Sequence, residues 1–187
     1  MIHYEQYLKE KLITEEELQK RIAELGAAIS QDYADSTNLL LICILRGGVL
    51  FLTDLMRHIT VPHAIDFMAV TSYGVGNRES QGAVRIKMDL MTDIGGRDVI
   101  IVEDIVDSGH TLSSVLQLLS TRKPASLNIC TLLDKEERRE VEVPIKYRGF
   151  VIPNKFVFGY GLDLDELFRN LPFIGVVDLQ KYDAQKS

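Results

Sequence analysis

The chain is most tightly constrained by one stretch, Val99 to Leu119. It opens on four apolar, mostly β-branched residues, Val99-Ile100-Ile101-Val102. A run this short and this apolar predicts a strand buried on both faces. Glu103-Asp104-Ile105-Val106-Asp107-Ser108-Gly109-His110-Thr111 follows, and then Leu112, Val115, Leu116 and Leu119 recur at helical spacing. The predicted order is a buried strand, an acidic loop, a small-residue turn and a helix.

That order carries chemistry. Ser108, Gly109 and Thr111 bracket the helix start. Free backbone N–H groups, hydroxyls and the positive end of the helix dipole make a seat for phosphate there. Glu103, Asp104 and Asp107 stand just upstream. Carboxylates repel phosphate, so they serve another part of the ligand, and adjacent acids at a strand end suit a sugar diol or a Mg²⁺ ion. A phosphorylated ribose satisfies the whole segment. The plain alternative is a βα turn with solvated acids and a threonine cap, and the three acids together with Ser-Gly-x-Thr outweigh it. Neither the P-loop nor the G-x-G-x-x-G pattern is present. Gly159-Tyr160-Gly161 comes nearest, with Leu164 in the third glycine's place.

Val99 to Thr111, VIIVEDIVDSGHT, resembles the phosphoribosyl-pyrophosphate (PRPP) loop of the type I phosphoribosyltransferases. Its acids and the later motifs resemble the hypoxanthine-guanine phosphoribosyltransferase family, over a span from about Thr14 to Asp178. The resemblance implies an α/β fold with a central, mostly parallel sheet flanked by helices. It adds a small hood built from the N-terminal segment and about 144–187, within a single domain covering 1–187. It implies transfer of a 5-phosphoribosyl group from PRPP to N9 of a 6-oxopurine, with Mg²⁺ as cofactor and a homodimer or homotetramer as the assembled form.

The remaining segments agree with an α/β chain on their own pattern. Thr14 and Glu17 form a capping-box pair ahead of the helical face Leu18, Ile22, Leu25, Ile29. Leu39 to Leu45 reads as a second buried strand, ending at Arg46-Gly47-Gly48 before a helix over Val49 to Ile59. Glycines at that turn let backbone approach a ligand closely. Ile65 to Thr71 and Val84 to Leu90 read as the two arms of a hairpin, with a polar, glycine-rich tip from Ser72 to Gly82. Leu127 to Leu133 is another strand, closing on Asp134-Lys135 at the edge where open α/β sheets bind ligands. The mixed charges from Lys135 to Glu140 read as a solvated face. Pro144 to Pro153 reads as an antiparallel excursion, Phe173 to Asp178 as a last strand, and Gln180 to Ser187 as a frayed tail.

Residue roles come from the resemblance. It gives Glu103 and Asp104 to the ribose hydroxyls or their Mg²⁺, and Asp107 to general-base work at the purine N7. Ser108, Gly109, His110 and Thr111 take the 5′-phosphate. Arg46 and Gly47, with a cis peptide between them, and Arg169 take the pyrophosphate. Lys135 hydrogen-bonds the 6-oxo group, Phe156 stacks on the purine, and the backbone at Val157 reads the base edge. Asp163 supports a second Mg²⁺ through water. Ser72 and Tyr73 begin a loop that acts as a lid.

Composition removes other classes. At 187 residues, 46% hydrophobic and 26% charged, the chain is one globular domain with a sizeable core. A net charge of −6 argues against nucleic acid as the main partner. No apolar run reaches a membrane span, and MIHYEQYLKEKL lacks the apolar core of a secretory signal, so a cytoplasmic location is expected. Cys43 and Cys130 lie in apolar runs and read as buried free thiols. Three rival readings fit less well. A PRPP-sensing regulator needs a nucleic-acid surface. An enzyme acting on another base conflicts with Lys135 and Phe156-Val157. A binding module leaves the phosphate turn and its acids unexplained.

Overall fold

The computed structural model describes residues 3–72 and 84–184. In chain order the elements are β1 (Leu8–Ile13), α1 (Glu15–Asp32), β2 (Leu39–Ile44), α2 (Val49–Arg57), β3 (His63–Ser72), β4 (Val84–Met88) and β5 (Asp98–Val106). Then come α3 (His110–Ser120), β6 (Ser126–Asp134), β7 (Ile145–Val151), β8 (Val157–Phe158), β9 (Ile174–Val177) and α4 (Leu179–Ala184).

Six strands form the main sheet in the order β4-β3-β2-β5-β6-β7. All pairings are parallel except that of the edge strand β4 with β3. Strand alternation divides the core into two layers. Leu39, Leu41, Cys43, Ile100 and Val102 join the cluster that contains Leu18 and Ile22 of α1 and Phe51, Leu52 and Leu55 of α2. Leu40, Ile42, Val99 and Ile101 join the cluster with Leu112, Val115 and Leu119 of α3. The four residues Val99 to Val102 are fully buried, half of them toward each layer. Burial of each side chain of this size contributes about 2 kcal/mol.

Local signals explain the helices. Thr14 caps α1 with a complete capping box: Glu17 N–H donates to Thr14 Oγ1 at 3.3 Å, and Thr14 N–H donates to Glu17 Oε2 at 2.8 Å. The start of α3 has no such side-chain cap; its N-cap is Gly109 at φ +91°. The second sheet, β1-β9-β8, is antiparallel. It packs a small core of its own, in which Phe158, Leu164, Leu171, Phe173 and Val177 meet Tyr4, Tyr7, Phe168 and Tyr182. This is the hood. No helix among the described residues is long and apolar enough to cross a membrane. Cys43 and Cys130 are buried and free, and burial, with smaller help from the charges of Glu103 and Asp104, pushes the Cys43 thiol up to about 12.

Four expectations are corrected. First, the acids Glu103 and Asp104 are not in a loop. β5 runs on to Val106 because β6 extends beside it, pairing Glu103 with Thr131 and Val106 with Asp134. Second, β7 is parallel to β6 rather than antiparallel. Residues 135–144 carry the chain back to the other end of the sheet, whereas a hairpin return uses two to five residues. Third, Leu179–Ala184 is a helix and not a frayed tail; Tyr182 N–H donates to Asp178 O at 3.0 Å and the Tyr182 ring packs on Tyr7. Fourth, the cis peptide is Leu45–Arg46, one residue before the expected Arg46–Gly47 bond. The sheet ladder ends there, with Leu45 N–H still donating to Met68 O at 2.8 Å, so the chain turns at the first peptide beyond that bond.

Candidate active site

The C-terminal ends of β2, β3 and β5, together with β4, open on a cleft of about 810 Å³. From the hood, Asp163 and Arg169 close its other side. Of the residues expected at a site, the cleft brings together Arg46, Gly47, Glu103, Asp104, Asp107, Ser108, Gly109, Thr111, Asp163 and Arg169.

Its floor is an interlock of backbone and carboxylate. A Cβ on Gly47 would come within 1.6 Å of Asp104 Oδ2. The missing side chain is therefore the space that the Asp104 carboxylate occupies. A Cβ on Gly161 would come within 2.1 Å of Gly47 O, and Gly161 has φ +96°, a conformation that glycine adopts without steric cost. The β2–α2 turn, the acid pair of β5 and the hood loop thus press on one another through positions where only glycine fits.

Electrostatics follow from that packing. Burial raises the Glu103 carboxyl well above the usual range, and the neighbouring Asp104 charge adds to it. Burial also pushes Asp104 up to about 6, against the opposing pull of Arg169. The Arg169 guanidinium is held by Gly161 O at 2.7 Å and by Asp163 Oδ1 at 2.8 Å. Arg46 reaches out to Glu166 at 2.6 Å. Among the described residues, no three His, Cys, Asp or Glu side chains converge as a ready-made metal cluster.

The turn after β5 is braced from the 135–144 connection. Ser108 O accepts from Glu140 N–H at 2.9 Å and from Val141 N–H at 3.0 Å. A Cβ on Gly109 would come within 2.3 Å of Val141 O. His110 opens α3 and meets Glu140 Oε2 at 2.9 Å, outside the cleft. The expected solvated face from Lys135 to Glu140 holds at Glu136, Glu137, Arg138 and Glu140, which are exposed, and fails at Lys135 and Arg139. Asp134 is fully buried, Lys135 is 6% exposed, and the Arg139 side chain is 10% exposed. Arg139 pairs with Asp134 and lies against Gly109, 3.2 Å from where its Cβ would be; Arg148 Nε adds a second cation on Asp134 at 3.0 Å. A buried carboxylate has to be paired, and this one ties the end of β6 to the turn.

Asp107 is flanked by two cations: Arg138 Nε at 3.1 Å from Oδ1 and Lys135 Nζ at 3.8 Å from Oδ2. The first is an ion pair without hydrogen-bond alignment, since Oδ1 is buried with no hydrogen-bond partner. Burial lowers the Lys135 amine from its ordinary value, partly offset by Asp107. Lys135, Phe156 and Val157 do not line the cleft. Lys135 joins it only through Asp107. Phe156 is half-exposed, and Val157 is buried in β8 opposite Val176. Ser72 ends β3, while Tyr73 and the rest of the expected lid lie outside the described residues.

Sequence reasoning missed Lys87, Arg138, Arg139 and Glu166. The Arg138-Arg139 pair follows a strand that ends in Asp134-Lys135, which was its available signal. Lys87 sits in a strand of alternating pattern, VRIKM, and nothing in that pattern marks it.

A family model for the phosphoribosyl transferase domain matches residues 10–165. The chain is 53% identical over 180 residues to a hypoxanthine-guanine phosphoribosyltransferase of Mycobacterium avium, covering 94% of this chain and 88% of that one. It is 52% identical to a hypoxanthine phosphoribosyltransferase of Escherichia coli (strain K12), over 91% of this chain and 96% of the relative. A crystal structure of a hypoxanthine phosphoribosyltransferase from Staphylococcus aureus superposes with a TM-score of 0.90 at 47% identity, covering 95% of this chain and 96% of that chain.

Two outcomes follow from the interlock. Asp104 has a folded pKa of about 6 against an ordinary 3.8. Between those values the folded state keeps a proton that the unfolded state releases, so stability falls as pH rises. The loss is about 3 kcal/mol, spread over roughly pH 4 to 6, and Glu103 extends it upward in the same direction. Carboxylates with lowered values, such as Asp66 and Asp89, act below that window. Thermal melts of the ligand-free protein are expected to drop across the window, and Asp104→Asn to flatten the drop; an equal slope in both proteins rejects the assignment. Gly47→Ala is expected to displace the Asp104 carboxylate and reduce turnover by ~10²-fold, the scale of an ångström-sized misplacement. Steady-state rates beside an unchanged far-UV spectrum check it.

Proposed function

The chain belongs to the phosphoribosyl transferase domain family, and on that premise we propose that its cleft makes purine nucleotides by salvage. The reaction transfers a 5-phosphoribosyl group from PRPP to N9 of hypoxanthine or guanine, giving IMP or GMP and pyrophosphate. One observation supports this most directly. A single cleft joins a helix-start turn, the acid pair near the end of β5 and a glycine turn beneath an arginine. A ligand with phosphate at one end, a diol in its middle and a second anionic group matches all three.

The uncapped start of α3 offers the N–H groups of Gly109, His110 and Thr111, with the Ser108 and Thr111 hydroxyls, to the 5′-phosphate. Glu103 and Asp104 stand where the ribose diol lies. Their all-oxygen donor set fits Mg²⁺, which takes one or two carboxylates and completes its shell with water and substrate oxygens. Asp163 is a second candidate ligand, through water. When bound, Mg²⁺ offsets negative charge on the leaving pyrophosphate.

As the C1′–O bond breaks and the C1′–N9 bond forms, positive charge builds on the ribose. The peptide groups at Arg46-Gly47 and the Arg169 guanidinium hold the departing pyrophosphate. Asp107 takes the proton from purine N7. Lys135, beside Asp107, donates to the 6-oxo oxygen, while Phe156 covers the ring and the backbone at Val157 reads its edge. Ser72 and Tyr73 begin the lid in this reading. A cytoplasmic homodimer or homotetramer belongs to the same reading; a structural neighbour from Trypanosoma cruzi, with a TM-score of 0.92, was solved to study how its C-terminal region affects oligomeric state.

Initial rates at saturating PRPP with hypoxanthine, guanine, xanthine and adenine test the reading. An ammonium donates and accepts nothing, so against the adenine amino group donor faces donor. Adenine is expected to react ~10⁴-fold more slowly than hypoxanthine or not at all. Comparable rates remove Lys135 from base selection. Asp107→Asn is expected to lower kcat by ~10²–10⁴-fold with PRPP affinity nearly constant. Near wild-type turnover in that variant assigns the proton transfer elsewhere.

A further inference from the structure

We propose that Lys87 is a binding residue for the pyrophosphate group of PRPP, supplied to the cleft from the edge strand β4. The inference deepens the functional reading given above and rests on it.

The first observation is a break in the β3–β4 ladder. Ala69 pairs with Met88, yet the next residue, Val70, pairs with Ile86, so Lys87 is the extra residue of a bulge. A bulge leaves one residue unpaired, bends its strand and re-aims a side chain. Regular alternation would dictate the face on which Lys87 stands from its neighbours; the bulge frees it from that rule. Lys87 accordingly lines the cleft, beside Ala69, Val70 and Thr71.

The second observation is charge. The ionisable residues lining the cleft are Arg46, Lys87, Glu103, Asp104, Asp107, Asp163 and Arg169. Two of its cations are already committed, Arg46 to Glu166 and Arg169 to Asp163 and Glu166. Lys87 is exposed, and among the described residues no carboxylate or hydrogen-bond acceptor holds it. Among the described residues it is the cleft cation available to a ligand without first breaking an ion pair. A phosphorylated ligand entering over four carboxylates needs such a charge, and a lysine on a flexible stem serves phosphate as a point charge.

Sheet order selects the end of the ligand. β4 lies next to β3, which lies next to β2, and β2 carries the Arg46-Gly47 turn. At ~4.8 Å per strand, β4 stands ~10 Å from β2 and ~14 Å from β5, whose end leads to the phosphate turn. Lys135 follows β6, one strand further. Lys87 therefore approaches from the side opposite the base and nearest the turn assigned to pyrophosphate.

Titration calorimetry with Mg²⁺ present separates the two phosphate ends without needing turnover. PRPP and IMP share the 5′-phosphate and differ in the pyrophosphate. For Lys87→Gln the dissociation constant for PRPP is expected to rise about tenfold while that for IMP stays constant, the scale of one charge-assisted contact. Lys87→Arg is expected to retain most of the PRPP affinity. Unchanged PRPP binding in Lys87→Gln overturns the inference. An equal loss for PRPP and IMP also overturns it, by placing Lys87 at the 5′-phosphate. A wild type that binds neither ligand overturns the functional reading itself, and this inference with it; binding of both by the wild type isolates any failure to Lys87.

Discussion

The contact between the Asp104 carboxylate and the bare backbone of Gly47 is the constraint on which the site depends. It places an acid where a Cβ would otherwise stand, 1.6 Å away. On the far side Gly161 presses its own bare Cα against Gly47 O. Three segments remote in the chain are thereby held in register by the absence of side chains. The arrangement excludes alternative positions for the acid pair, and it draws the hood loop onto the sheet. It also concentrates charge. Packing that removes water from Glu103 and Asp104 raises both their carboxyls, so the ligand-free site stores unfavourable burial that a cation or a diol can relieve.

A second brace stands behind the first. The 135–144 connection returns the chain across the sheet, and on the way it builds a polar scaffold under the helix start. Asp134 is buried and held by Arg139 and Arg148, Ser108 O receives two N–H groups, and Val141 O closes on Gly109. Lys135 and Arg138 come from the same connection and face Asp107. One segment therefore shapes both the turn before α3 and the surroundings of Asp107. Asp134 is fully buried, so removal of one partner would leave an uncompensated charge in the core.

Much of the architecture is legible in the residues. The apolar run Val99 to Val102 dictates a strand covered on both faces, and both layers of the core meet there. Thr14 and Glu17 mark the start of α1 because their side chains satisfy each other's backbone. Gly109 before a helix marks the turn. These features share one cause: each depends on residues within about one helical turn or one strand, so the local sequence contains the whole interaction.

Other features depend on partners far away in the chain. Glu103 and Asp104 are strand residues because β6 happens to run beside them, not because of their own preferences. The direction of β7 depends on where its connection travels. Arg139 is mostly covered and Arg138 exposed although the two are neighbours of one type, since only tertiary packing decides which of them meets Asp134. Lys87 reaches the cleft through a single-residue slip in a ladder, which no strand pattern records. By itself the sequence determined the layered α/β plan, the glycine turn at the start of α3 and the acids just ahead of it, because short-range periodicity and turn chemistry carry that information. Tertiary structure alone decided which charges are buried, which cations remain free and how the hood meets the sheet, because burial and pairing are properties of surfaces brought together by folding.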